Sequence, residues 1–343
     1  MGDRVNDGAN NGVSSGTVRG LAAQGTALGR VIGEAADRCF AAVRVQVSGR
    51  TGVGKSSVRA VLTAHHDLRV DGVDITEAAS IDVPRSPDPV LDGDVLVHVL
   101  AGGAHPADID AVASATEVVF VLAKADTIDH LDTVIGRLSA SVGATVYPLM
   151  GTVAASVMRG LPASFGLLRP AAKAVTTDML LTPERFVRAT LPIPRQARVE
   201  LLEQVETCGV RIAVETLTAN PNTDDATLRL LLAERSGVDA LARAVRQAVD
   251  DVRIDRQGKL LHRLTELAAE HPDATELERY LGSDEAVVAI MRSALRALGE
   301  PQEPHPTLRT AQQWQSRWQR ADEPSRARAA LAVARGYLRM RER

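Results

Sequence analysis

The stretch Gly49-Arg50-Thr51-Gly52-Val53-Gly54-Lys55-Ser56 has the residue types and spacing to hold phosphate. It reads G-x-x-x-x-G-K-[ST], in which glycines let consecutive backbone N–H groups converge on one anion. Lys55 can reach the outer phosphates, and the Ser56 hydroxyl can ligate Mg2+. The loop residues Gly49, Arg50, Thr51, Gly52, Val53 and Gly54 line such a cradle, with Lys55, Ser56 and Ser57 in the turn that follows. Two further groups ask for a chemical role. Asp82 ends the apolar stretch Ser80-Ile81-Asp82, where a carboxylate would act on a metal, directly or through water. The same Asp before Pro84 also suits a plain turn. Lys124 is one of only four lysines, with Lys55, Lys173 and Lys259, in a chain of 40 Lys+Arg. A chain that otherwise uses arginine keeps the compact ammonium in its phosphate loop, so Lys124 needs an explanation as well.

These residues need elements that position them. Residues 43–47 alternate apolar with polar as a strand does, and residues 56–62 can open a helix. The loop therefore spans a strand end and a helix N-terminus, whose partial positive charge favours anions. Short strands are expected at 73–76 and 79–83, and buried strands at 94–100 and 118–122, with another strand at 144–149. Helices at 106–112 and 128–140 fall between these later strands. Strands alternating with helices predict a parallel α/β sheet covered on both faces. A helix over 18–40 leads into the first strand, and residues 1–17, rich in Gly, Asn and Ser, read as a flexible tail. From 151 onward the pattern is almost entirely helical, with segments at 197–218, 223–235, 238–270, 273–281, 284–298, 308–321 and 324–341 and a hinge at 301–306. The expected division is a tail at 1–17, an α/β domain over 18–165 and an all-α domain over 166–343.

Composition sets outer bounds. The chain of 343 residues is 45% hydrophobic and 24% charged with net charge −3, ordinary globular material that points neither to nor away from nucleic acid. Cys39 and Cys208 are too few for a disulfide framework or a metal cluster. With no apolar run near 18 residues and no apolar signal core at the N-terminus, a cytoplasmic protein is expected. His65 and His66 are adjacent, point different ways on a helix and read as surface residues at its end.

Together these motifs resemble a P-loop GTPase G domain of the translation-factor-related class, in the septin, dynamin-like and Era-like branch. The resemblance covers about residues 40–165, and its phosphate loop matches Gly49 to Ser56 in full. The guanine-reading Asn/Thr-Lys-x-Asp motif appears as Ala123-Lys124-Ala125-Asp126, a variant that septin-like G domains also carry. The resemblance implies that Lys124 lies along the base and that Asp126 accepts from the guanine N1–H and amino group. Adenine has no such donor pair, and a buried carboxylate left unpaired is costly. Asp82-Val83-Pro84-Arg85 aligns with the Asp-x-x-Gly motif, with the glycine lost. Thr76 is the candidate for the Mg2+-binding threonine, and Leu149-Met150-Gly151 for the loop whose backbone touches the guanine O6. No glutamine follows Arg85 to orient water, so GTP/GDP binding with Mg2+ and slow or partner-stimulated hydrolysis are implied. Arg85 could serve as a charge stabiliser or be a plain surface arginine.

In the helical half Trp314 and Trp318 share a helix face, and residues 301–343 hold nine Arg against four Asp+Glu. The main reading packs both indoles into core and leaves arginine in water. An anionic membrane surface meeting 308–343 is an alternative, and nucleic acid is not expected. A protein partner docking on the helical half and a homodimer are the other partner readings. The leading function is a regulatory GTP-binding switch. A membrane-associated dynamin-like GTPase, a non-hydrolysing scaffold and an ATP-using P-loop enzyme stay open beside it.

Overall fold

The computed structural model describes residues 13–23, 26–69, 72–83, 85, 87, 89–161, 163–271 and 274–341. It divides into two compact units, residues 43–249 and residues 1–42 with 250–343. The units meet in the chain at 42/43 and 249/250.

In the first unit the chain runs β1 (Val43–Gly49), α3 (Lys55–Ala64), β2 (Val73–Glu77), β3 (Val95–Leu100), α4 (Pro106–Val112), β4 (Val118–Ala123), α5 (Leu131–Val142) and β5 (Val146–Leu149). Here α1 (Ser15–Ala22) and α2 (Ala27–Phe40) precede β1 but belong to the second unit. The five strands form one sheet in the order β2-β1-β3-β4-β5, every pair parallel. Val-rich runs make these strands: all six residues of β3 are buried, as a parallel strand covered on both faces requires. Leu96 and Leu100 of β3 join Phe120 and Leu122 of β4, Val112 of α4 and Leu138 of α5 in one core. The order reverses at β1, so right-handed connections put α3 on the face opposite α4 and α5. That reversal opens a crevice beyond the carboxyl ends of β1 and β3, where ligands of open α/β sheets bind.

The strand expected at 79–83 does not form; Ile81 and Asp82 lie in a turn. Four polar or turn-forming positions in six residues outweigh the short apolar pair there. Beyond the sheet come α6 (Gly151–Arg159), α7 (Phe165–Ala171), α8 (Pro183–Arg188), α9 (Arg195–Ala219) and α10 (Asp225–Ser236). The first three fall in the region read as almost entirely helical from 151 onward, ahead of the first individually delimited segment at 197–218. The chain then enters α11 (Val238–Glu270), which matches the predicted 238–270 and contributes residues to both units. Gly237, at φ 81°, turns the chain between α10 and α11.

In the second unit α1 and α2 replace the single helix expected over 18–40, and Thr26 caps α2 by accepting from the Gly29 amide at 2.9 Å. The tail expected at 1–17 lies outside the described residues as far as residue 12, and Ser15 already opens α1. The apolar face of α2 (Ile32, Ala35, Ala36 and Cys39) packs with Val18 and with Leu260, Leu261 and Leu264 of α11. That long-range packing is why α2 sits with the C-terminal helices and not with the sheet. Burial pushes the Cys39 thiol up to about 11. The unit is completed by α12 (Thr275–Leu281), α13 (Asp284–Ala297), α14 (Leu308–Gln319) and α15 (Pro324–Arg341). Trp314 of α14 is buried with Met291, Leu295, Val333 and Tyr337, and the Arg317 guanidinium sits 4.4 Å above its ring. Trp318 corrects the expectation for the pair: it is 37% exposed, because a step of four residues rotates past the edge of a narrow buried face. Several arginines of the basic end have acidic partners, Arg317 with Glu300 at 2.9 Å and Arg326 with Glu323 at 3.4 Å. Among the described residues no helix is long and apolar enough to cross a membrane.

Candidate nucleotide-binding crevice

The loop Gly49–Ser56 leaves the end of β1 and enters α3 at the mouth of the crevice. Two glycines carry its shape. Gly49 has φ 142°, and a Cβ there would sit 2.6 Å from the Val99 carbonyl of β3. Gly54 is left-handed at φ 105° and opens α3 without a side-chain cap, so the first-turn amides are free of side-chain competition. Lys55 is 7% exposed. Its ammonium donates to the Gly49 and Arg50 carbonyls, each at 3.0 Å, and to Ser80 Oγ at 2.7 Å. The loop thus wraps its own lysine, and all three ammonium hydrogens have acceptors.

Ser56 turns its hydroxyl to Glu77 Oε1 at 3.0 Å, and Glu77 also faces Arg59 at 3.4 Å. Glu77 ends β2, the strand beside β1. Its neighbour Thr76 pairs with Gln46 in the ladder, and strand alternation sends its side chain the other way. Asp82 reaches the loop at a different point. Its Oδ1 accepts from the Thr51 amide at 2.8 Å and the Thr51 hydroxyl at 3.0 Å. The Thr51 amide bond, followed by the hydroxyl, holds the exposed Asp82 carboxyl below the usual carboxylate range. Arg85 is exposed and has φ 63°, the left-handed region that a glycine would enter freely. Pro84 lies outside the described residues.

On the other side of the crevice β4 ends in a tight turn. Lys124 has φ 55° and caps a single 3-10 turn over Ala125–Thr127. Its ammonium donates to the Gly52 carbonyl at 3.0 Å, joining this turn to the phosphate loop across 72 residues of chain. Asp126 is half-buried; burial first, then a hydrogen bond to Glu206, push its carboxyl above the usual range. Met150 follows β5, donates its amide to the Ser236 carbonyl at 2.9 Å, and brings its sulfur 3.5 Å from Cys208 Sγ. Gly151 opens α6 beside Ser57, where a Cβ would sit 3.4 Å from the Ser57 Cβ. The loop, Asp82, Lys124, Asp126, Met150 and Gly151 thus come from four separate stretches to the carboxyl edge of the sheet, while Thr76 stays in the ladder.

A polar network beneath the loop had no forecast. His98 in mid-β3 is fully buried, with Nδ1 3.0 Å from Ser48 Oγ and Nε2 3.2 Å from Asp108 Oδ1. Asp108 also accepts from the His105 amide at 2.9 Å and pairs with Arg50 of the loop at 3.2 Å. Burial works to raise the Asp108 carboxyl, but the bonds to His98 and the His105 amide, with the Arg50 charge, outweigh it and hold the group below its ordinary value. An ionised Asp108 only accepts, so His98 carries a hydrogen on Nε2. Histidine in an otherwise apolar strand was the available signal. Glu77 and Glu206 were equally unforeseen; an acidic residue closing a short strand marks the first, whereas nothing local marks the second.

His65 corrects another expectation. It is 1% exposed, with Nε2 3.2 Å from Asp239 of α11 and Nδ1 accepting from the Asp67 amide at 3.3 Å. Only His66 is at the surface. His65, His66 and Asp67 bring ligand-type atoms within 4.8 Å of one another, but both ring nitrogens of His65 already have protein partners. Compared with models of protein families and with curated proteins, the chain matches no family and no curated sequence.

Proposed function

We propose that the chain binds guanine nucleotides with Mg2+ and hydrolyses GTP slowly or under a partner's stimulus, serving as a regulatory switch. The observation that carries this reading is the bond from Lys124 Nζ to the Gly52 carbonyl at 3.0 Å. It brings the Lys-x-Asp turn and the phosphate cradle to one crevice, as a ligand with phosphate at one end and a base at the other requires. The phosphates would take the loop amides and draw the Lys55 ammonium from its carbonyl partners. Lys124 would lie along the base, and Asp126, once ionised, would accept from the two adjacent donors of guanine.

The hydroxyl of Ser56 and the carboxylate of Glu77, 3.0 Å apart, are both oxygen donors of the kind Mg2+ takes. They fit the ion, with Glu77 in the place expected for Thr76 and Asp82 acting instead on Thr51. When bound, Mg2+ would neutralise charge on the outer phosphates. Residues 86–100 contain no glutamine to orient an attacking water, which supports slow turnover. Calorimetry with GTP, GDP and ATP in the presence of Mg2+, on the wild-type chain and Lys55→Ala, tests the reading. Guanine-selective binding that Lys55→Ala abolishes is the expected result. Equal affinity for ATP, or no binding of any nucleotide, overturns it.

A further inference from the structure

Strand β2 ends at Glu77, but the chain does not leave the phosphate loop there. Residues 78–82 run along the loop as a strap outside the sheet. The Ala78 amide donates to the Val47 carbonyl at 2.9 Å, and the Ile81 amide to the Gly49 carbonyl at 3.4 Å. Side chains of the same strap take two sets of the loop's donors. Ser80 Oγ accepts from the Lys55 ammonium at 2.7 Å. Asp82 Oδ1 accepts from both the amide and the hydroxyl of Thr51, at 2.8 and 3.0 Å. One N–H group of the loop is thus already engaged by an anion. A carboxylate and a phosphate compete for such donors, because each is an anionic oxygen acceptor. In a loop of this kind the lysine is the residue that reaches the outer phosphates. A strap that holds both Lys55 and Thr51 therefore stands at the outer end of a bound phosphate chain, away from Lys124 and Asp126.

We propose that Asp82 is a specificity-determining residue of the loop: its carboxylate is a built-in anion on the Thr51 donors, and it weighs against a nucleoside triphosphate relative to the diphosphate. The inference rests on the nucleotide-binding reading above. A diphosphate can fill the amides at the start of α3 with the outer end of the strap in place. A third phosphate calls on Lys55 and meets Asp82, so Ser80 and Asp82 must give up their bonds and the strap must lift. It also brings further negative charge beside a carboxylate, and like charges at close approach repel. The strap is built to lift. It has no ladder pairs, Ile81 and Asp82 lie in a turn, and its outermost backbone bond, from Ile81, is long at 3.4 Å. Ala78 is buried and bonded to β1, which fixes the inner end. A carboxylate that held Mg2+ would act with the opposite sign, because its removal would weaken the triphosphate complex.

The test is calorimetry on the full chain with Mg2+, titrating GDP and a non-hydrolysable GTP analogue with an imido bridge between its outer phosphates. Wild type is compared with Asp82→Asn, which keeps the size and an acceptor oxygen but removes the charge. The position is exposed, so the fold should hold. Asp82→Asn is expected to raise affinity for the analogue about tenfold relative to GDP, the difference between a charged and a neutral hydrogen bond. Asp82→Ala, which lacks the acceptor altogether, is the second variant and should move the ratio of the two affinities in the same direction. An unchanged ratio in both variants, with GDP bound, overturns this inference and leaves nucleotide binding intact. A fall in analogue affinity overturns it as well and returns Asp82 to the metal. No binding of either nucleotide by wild type overturns both readings.

Discussion

Asp108→Ala is the perturbation whose cost can be worked most directly from the structure. Asp108 is fully buried and accepts from His98, the His105 amide and Arg50. Removing it leaves the His98 Nε2–H without its acceptor in a site with no solvent, which costs about 1–3 kcal/mol. It also breaks the box that caps α4, worth about 1 kcal/mol. Arg50 loses its buried counter-charge but is partly exposed and recovers some hydration. The sum, about 2–4 kcal/mol before any part from Arg50, overlaps the typical cost of removing one partner of a buried ion pair. For a unit of this size it should lower Tm by about 10 °C. The folded Asp108 carboxyl is depressed, so its contribution is present above its unfolded value near ~3.9 and is lost as pH falls through the lower folded value. Asp108→Asn should therefore flatten the acid limb of the stability curve while costing less at neutral pH than Asp108→Ala. Urea unfolding at neutral pH and at a series of acid pH values measures both. A loss under about 1 kcal/mol for Asp108→Ala, or an unchanged acid limb for Asp108→Asn, would refute the reasoning.

Two further substitutions follow from packing and backbone. Trp314→Ala should cost about 3–5 kcal/mol in thermal or urea unfolding, as the loss of a buried large aromatic does. Trp318→Ala, at a 37% exposed position, should stay within about 1 kcal/mol; equal costs would contradict the packing described. Arg85→Gly removes the penalty of a non-glycine residue at φ 63°, about 1–2 kcal/mol, and adds the unfolded-state entropy of glycine, about 0.5–1 kcal/mol. A small rise in the urea midpoint, of up to about 1 kcal/mol in stability, is expected; a clear fall would mean that the arginine side chain holds the loop.

What the amino-acid order determined by itself was what depends on near neighbours. The glycine spacing from 49 to 54, the lysine that follows and the flanking strand and helix are all local, and the fold carries them where the motif requires. Apolar runs settled β3 and β4, because a strand buried on both faces needs little else, and alternation marked β1. The predicted helix at 238–270 likewise follows from helical periodicity alone. Tertiary structure decided what depends on residues far apart in the chain. It turned Glu77 toward Ser56 and left Thr76 in the ladder, a choice of strand face that a register shift of one would reverse. It buried His65 against Asp239, 174 residues away, and packed α2 on α11 in the second unit. It broke α9 at Glu206 and turned that carboxylate to the Thr152 hydroxyl, 54 residues away. The physical reason is the same in each case. Periodicity tells which face of an element is apolar, but the partner that covers that face, and the polar groups it brings, come from the rest of the chain.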